Sequence, residues 1–381
     1  MKLKIAPVIL SIVAAAALVA CGGGDGSTTP AATTAPVADV STLTAATVAS
    51  VGATTIQGAS SDEEVYNLAA DVGDSWQLVL NNRTNTFVVK VLKSQFSFTT
   101  TASAAFIKVT AGSFTTVTGT GLSVQIDGRT KTIGGNVTVG GRATTVAGSG
   151  YEVADVSKLA GTYFFVGVSR NVSNGAYGGS AAGSFILSPN GTDVTVCDGG
   201  IVVNGACANV AGGTGVRTVA LTIAKDSAGL LRMKQGANDF GILSVSAGDR
   251  GPVLIIDRFG LNDDPSPVLR TGIFFASKSA KLAGNEFDGN WTCDSRGGNR
   301  KTIDVSGNAY SIAGSSTKQG TLMYNKVTND ADVAVDLNGA VIAQNTSESL
   351  NQASLILPLS SSLAVVLESE EGVMGICRKT K

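Results

Sequence analysis

The chain has no histidine among its 381 residues. This removes the commonest general base, the Ser-His-Asp and Cys-His arrangements, and most zinc sites. Charge is scarce as well. Only 15% of residues are Asp, Glu, Lys or Arg, against about a quarter in an average soluble domain. The 28 basic and 29 acidic residues nearly cancel, and no run of Lys or Arg supplies the electrostatic footprint of a nucleic-acid binder. Adjacent acids stand at Asp62-Glu63-Glu64, Asp263-Asp264 and Glu368-Glu370-Glu371. Glycoside hydrolysis needs two carboxylates facing one cleft, whereas acids clustered in turns read as solvated loop charges. Residues 329–336 offer oxygens to calcium but lack the glycine and terminal glutamate of the helical calcium loop. The glycine clusters at 119–121 and 212–215 do not open helices, so they form no phosphate cradle. No catalytic residue, metal site, cofactor or nucleic-acid partner is expected, and the chain does not read as an enzyme.

The N-terminus is more explicit. Lys2 and Lys4 precede an apolar stretch from Ile5 to Ala17, too short to span a bilayer. Leu18-Val19-Ala20-Cys21 follows, and then glycine, serine, threonine and proline dominate. The stretch resembles the lipobox of bacterial lipoproteins. The resemblance implies that residues 1–20 are a signal peptide and that Cys21 becomes the acylated N-terminus. It would carry a diacylglyceryl thioether and a further acyl chain such as palmitate, and several buried chains anchor a protein almost permanently. Gly22 stands where an aspartate often marks inner-membrane retention. The resemblance therefore implies an outer-membrane protein facing the periplasm or the cell exterior. Residues 21–40 cannot build a core and read as a flexible tether, reaching roughly 25 Å as a coil and about 60 Å fully extended.

The body predicts an all-β fold with very little helix. Valine- and threonine-rich runs alternate with turn signals such as Asp127-Gly128, Gly140-Gly141, Pro189-Asn190-Gly191 and Gly307-Asn308. The pattern predicts antiparallel, hairpin-rich sandwiches or barrels in two or three domains. Capped acids over 61–72 suggest one or two helical turns. Two segments are weakly alike: Lys158 begins KLAGTYFFVGVSRN and Glu286 begins EFDGNWTCDSRGGN. Each reads as the first strand of a β-unit, which divides the body into 41–155, 156–284 and 285–381, the last two units possible partners in one sheet.

Four cysteines remain after Cys21, an even number in a chain that reads as exported. The expected bonds are Cys197–Cys207, across a hairpin, and Cys293–Cys377, tying a first strand to a last as in a closed barrel. A four-thiolate zinc site is the alternative, though the spacings lack CxxC pairs. Gly289-Asn290-Trp291 with Arg378 resembles the lipocalin signature, in which an arginine packs over a first-strand tryptophan. That resemblance implies a small-ligand pocket at Trp291, whereas a core aromatic and a solvated terminal charge are the simpler reading. The glycine-rich stretch 170–183 carries Tyr177, an amphipathic side chain suited to an interface. Two functions stand side by side. One is a lipid-anchored, non-catalytic binding or structural module of the cell envelope with a protein or glycan partner. The other is a β-barrel carrier of a small apolar ligand.

Overall fold

The computed structural model describes residues 40–380, except 173–176, 199, 210–214, 262–267, 295–299, 314–318, 329–333, 348 and 369–372. Residues 1–20, Cys21 and the tether as far as residue 39 thus lie outside the described residues.

Helix α1 (Val40–Val51) leads into β1 (Ala53–Thr55). The first barrel follows: β2 (Glu63–Ala70), β3 (Ser75–Asn81), β4 (Thr86–Lys93), β5 (Ala104–Ala111), β6 (Phe114–Gly119), β7 (Leu122–Asp127), β8 (Thr132–Val139) and β9 (Arg142–Ser149). Strand β10 (Tyr151–Val153) returns to pair with β1. After a 3-10 turn at Val156–Leu159 come β11 (Gly161–Asn171), β12 (Tyr177–Leu187) and β13 (Asp193–Asp198). A separate hairpin, β14 (Gly200–Val203) with β15 (Ala206–Asn209), interrupts this second barrel. It resumes with β16 (Arg217–Lys225), β17 (Leu231–Gln235), β18 (Asn238–Gly248), β19 (Gly251–Leu261) and β20 (Leu269–Lys278). The third barrel is β21 (Gly289–Asp294), β22 (Arg300–Ser306), β23 (Ala309–Ile312), β24 (Gln319–Thr328), β25 (Ala334–Asn345), β26 (Ser354–Pro358), β27 (Leu363–Glu368) and β28 (Val373–Lys379).

All three are closed eight-stranded antiparallel barrels in which each strand pairs with the next barrel strand. Closure comes from β2 on β9, β11 on β20 and β21 on β28. Although β4 pairs with β5 only at Ala104 and Ala105, closure gives each barrel strand a neighbour on both sides. The second and third units therefore do not share a sheet.

Local chemistry sets the turns. Gly140 and Gly141 both hold positive φ, +59° and +78°, as a two-residue hairpin turn requires. At the β7–β8 turn the Asp127 carboxylate accepts a hydrogen bond from the Arg129 backbone N–H at 3.0 Å.

Alternation then decides what each strand buries. Along β2, Tyr66, Leu68 and Ala70 join the interior of the first barrel, while Ala69 faces outward into the core shared between barrels. This period of two overrides the helix expected over 61–72. Acids and a cap favour a helix only weakly, and here a closed sheet buries the apolar half of the segment. The helix that does form, α1, is not signalled by its sequence. That sequence, VSTLTAATVASV, is rich in β-branched residues and has no strong apolar face. Val48 and Val51 dock it onto the second-barrel core.

Strands β11, β19 and β20 are apolar on both faces. Tyr163 and Phe165 line the second barrel, while Phe164, Val166 and Val168 pack outward with Ile255, Ile273 and Phe275. Leu357, Leu359, Leu363 and Val365 of the third barrel and Ala69 and Ala147 of the first complete this shared core. Polar bridges cross the same contacts. The Ser75 hydroxyl donates to Asp257 Oδ2 at 2.5 Å, and the Thr132 and Ser246 hydroxyls meet at 2.7 Å.

Candidate functional site

The two weakly alike segments do the same structural work. In the second barrel the Tyr163 hydroxyl donates to the Leu159 carbonyl at 2.5 Å. In the third, the Trp291 indole N–H donates to the Phe287 carbonyl at 2.7 Å. Each aromatic sits two residues after the glycine that opens its first strand, and each bonds four residues back. The device ties the chain entering the barrel to an aromatic inside it.

Beyond that shared point the lumens diverge. In the second barrel, Tyr163 stacks on Phe185 at 5.2 Å and Phe165 on Phe274 at 6.0 Å between ring centroids. Gly167 makes room for this, because a Cβ there would fall inside the Phe274 ring. In the first barrel Trp76, Leu78, Phe87, Phe106 and Ile133 pack together in the core. In the third barrel, the position matching Phe165 is Cys293. Across the strand pair, Ile303 faces Trp291 where Phe185 faces Tyr163. Smaller side chains leave space. Among the described residues a cavity of about 110 Å³ lies between Trp291, Ile303, Leu322, Ile356, Ala364 and Val366, with Phe287 and Tyr310 also on its wall.

One end of this cavity is aromatic. Phe287 packs on Trp291 at 5.2 Å and on Tyr324 at 6.2 Å. Burial pushes the Tyr324 phenol up to about 12, and its hydroxyl donates to the Gly307 carbonyl at 3.0 Å. Below this end, Glu286 is held under the usual carboxylate range. Partial burial works against its charge, but the N–H groups of Ala283 and Gly284, and Arg250 nearby, outweigh it. The polar lining side chains are Lys301, Glu368 and Ser354, with the phenol of Tyr310. Lys301 Nζ and Glu368 Oε1 lie 2.8 Å apart, with side chains 38% and 24% exposed. The cavity is thus an apolar volume with one small polar patch.

The structure contains both expected disulfides. Cys293 and Cys377 are register partners on β21 and β28, and both line the cavity. Cys197–Cys207 departs from the expectation in one respect: it does not span a single hairpin. It fastens β13 to the inserted β14–β15 hairpin, where Cys207 pairs with Val202. With all four cysteines bonded to each other, no thiolates are left for zinc.

Trp291 is 2% exposed and sits in the cavity wall. Arg378 lies in β28 opposite Thr292, the residue after Trp291. Tyr177 opens β12 on the second barrel and is 44% exposed, so the two aromatics singled out from sequence are not brought together. Among the acid clusters, Glu64 is not a free loop charge. It accepts from Lys108 Nζ at 2.9 Å and from the Asn82 side-chain amide at 2.8 Å. Glu368 also departs from the solvated reading, since it points into the third barrel. Asp263, Asp264, Glu370 and Glu371 lie outside the described residues. Sequence reasoning misses Lys301 as a site residue. The available signal is parity: 301, 303 and 305 share a face of β22, and 364, 366 and 368 share a face of β27. Among the described residues, no helix is long and apolar enough to cross a membrane.

No protein-family model and no curated protein matches the chain. Among solved structures it is similar to a protein of unknown function from the DUF3598 family of Nostoc punctiforme. That match has 14% identity and a TM-score of 0.18, and covers 57% of this chain and 93% of the other. It is also similar to the vaccine antigen transferrin binding protein B from Haemophilus parasuis, at 9% identity and a TM-score of 0.22, covering 80% of this chain and 65% of the other. A further match is intact Ap-TbpB with its N and C lobes, at 8% identity and a TM-score of 0.17, covering 80% of this chain and 66% of that one. At these identities and TM-scores the likenesses support no statement about function.

Proposed function

We propose that the mature protein is held to the outer membrane by a lipid on Cys21 and binds a small apolar ligand inside its third barrel, without transforming it. The observation that carries the binding reading is the contrast between lumens. Among the described residues, aromatic and aliphatic side chains pack through the first two barrels, and an apolar cavity of about 110 Å³ lies in the third. An apolar cavity is costly to keep empty, because its lining loses packing contacts that a ligand restores. The resemblance of Gly289-Asn290-Trp291 and Arg378 to the lipocalin signature supports the same reading. The lipobox resemblance supports the anchor, and a tether of some twenty residues would place the barrels beside the membrane.

Native mass spectrometry of protein extracted from its own envelope tests the binding reading. A co-purifying small molecule, lost when Ala364→Phe fills the cavity, is the expected result. A ligand-free mass together with identical spectra for both proteins would reject it. For the anchor, Cys21→Ser is expected to release the protein from the membrane fraction, and unchanged fractionation would reject it.

A second reading, recognition of an envelope protein, has one observation in its favour. Strand β5 exposes Ile107 and Val109 at 68% and 62%. Its pairing with β4 covers only Ala104 and Ala105. Ile107→Lys with Val109→Lys would abolish capture of such a partner while leaving the melting temperature nearly unchanged.

A further inference from the structure

An ion pair crosses the lumen of the third barrel. Lys301 stands on β22 and Glu368 on β27. Going around the sheet from one to the other means passing β21 and β28, three strand spacings or about 14 Å. Yet Lys301 Nζ lies 2.8 Å from Glu368 Oε1, so the two side chains reach each other across the lumen. One step beyond the Leu355↔Leu367 pair places Ser354 opposite Glu368, and all three residues line the cavity. The remainder of the wall is apolar apart from the Tyr310 phenol.

We infer that the ligand is an amphipathic molecule with a short apolar body and an uncharged hydroxyl or amide end that docks on the Lys301–Glu368 bar. This rests on the cavity reading above. The bar is already neutral. The ammonium keeps two N–H donors beyond the one facing Glu368, and the carboxylate keeps spare lone pairs. A terminal hydroxyl donates to the carboxylate and accepts from the ammonium, so both charges stay paired. A carboxylate head instead brings a second negative charge beside Glu368, and an amine head a second positive charge beside Lys301. Either then competes for a partner in the bar and leaves the half-buried site with a net charge. Each would also give up its own hydration on entering.

Calorimetric titration of the intact protein at neutral pH with octanol, octanoate and octylamine tests this. Octanol is expected to bind at least about tenfold more tightly than either charged analogue. Glu368→Gln leaves Lys301 unpaired and is expected to invert the order in favour of octanoate. Lys301→Met is expected to invert it in favour of octylamine. Circular dichroism confirms the fold of both variants, and the wild-type order stands on its own if either fails to fold. Octanoate or octylamine binding as tightly as octanol in the wild type overturns the head-group inference but leaves the cavity reading standing. If none of the three binds, both fall.

Discussion

Removing the Cys293–Cys377 bond is expected to destabilise the protein more than removing Cys197–Cys207, by a margin that follows from the chain. The first closes a loop of 84 residues and the second a loop of 10. If a crosslink acts mainly by restricting the unfolded chain, these loops correspond to about 4.6 and about 2.7 kcal/mol at room temperature. The difference is about 2 kcal/mol. The comparison uses two double variants, Cys293→Ala with Cys377→Ala and Cys197→Ala with Cys207→Ala. Alanine avoids placing new hydroxyls against the apolar lumen. Urea unfolding followed by tryptophan emission is well suited, because Trp291 lies in the third barrel and Trp76 in the first. The variant lacking the 84-residue closure is expected to show the larger fall in midpoint, led by the Trp291 signal. Strands β21 and β28 keep their backbone ladder without the bond, so that variant still folds. An equal or larger loss on removing the 10-residue closure would refute the reasoning, because the stabilisation could not then come chiefly from restricting the unfolded chain.

Two further predictions concern buried polar groups. Asp257 is fully buried between the first two barrels, and burial holds its carboxyl well above the usual range, with Ser75 and Lys93 only partly offsetting this. The folded protein keeps a proton that the unfolded chain releases. The group's stabilisation is therefore complete below the unfolded value, near pH 4, and is lost as pH rises through the higher folded value. Asp257→Asn is expected to flatten that decline when stability is measured against pH; a parallel pH profile would show that Asp257 is charged in the folded state. Glu64 and Glu286, held low, have the opposite sign: their stabilisation is lost on acidification, and the variant retains that limb. The matched aromatic bonds give a paired test. Trp291→Phe and Tyr163→Phe each remove one donor and leave a buried carbonyl, costing about 1–3 kcal/mol by chemical denaturation. Losses below about 0.5 kcal/mol at both sites would show that the shared device is not structural.

Much of the sheet pattern is legible in the sequence, because turn chemistry is local. Gly140-Gly141 marks its hairpin by backbone conformation, and Asp127 marks the β7–β8 turn by a side chain that accepts the Arg129 N–H. Both hairpins are present, the β7–β8 one turning at positive φ on Lys131. The pairing of Cys293 with Cys377 is also legible, since two cysteines at the ends of a run of strands suggest closure. Residues 61–72 mislead for a physical reason. Ser61 and the acids after it stabilise a helix start by small increments, while the alternation of Tyr66, Leu68 and Ala70 acts only once a barrel exists to receive it. The double-faced burial of β11 and β20 similarly depends on neighbouring barrels. The cavity is the least legible feature. Whether a lumen is full depends on side chains from eight strands at one level, and Cys293 and Ile303 acquire meaning only beside Phe165 and Phe185.

The central claim is that the third barrel is the binding barrel. Ala364 is fully buried on β27, between Pro358 and Cys377 in register, with its side chain in the cavity wall. Replacing it with phenylalanine occupies the space the ligand would take, at an overpacking cost of about 1–3 kcal/mol. Calorimetric titration of both proteins with octanol is the most direct test. Saturable one-to-one binding to the wild type, with none to a folded Ala364→Phe variant, is the predicted result. Equal binding to the two proteins, or none to the wild type, would contradict the claim.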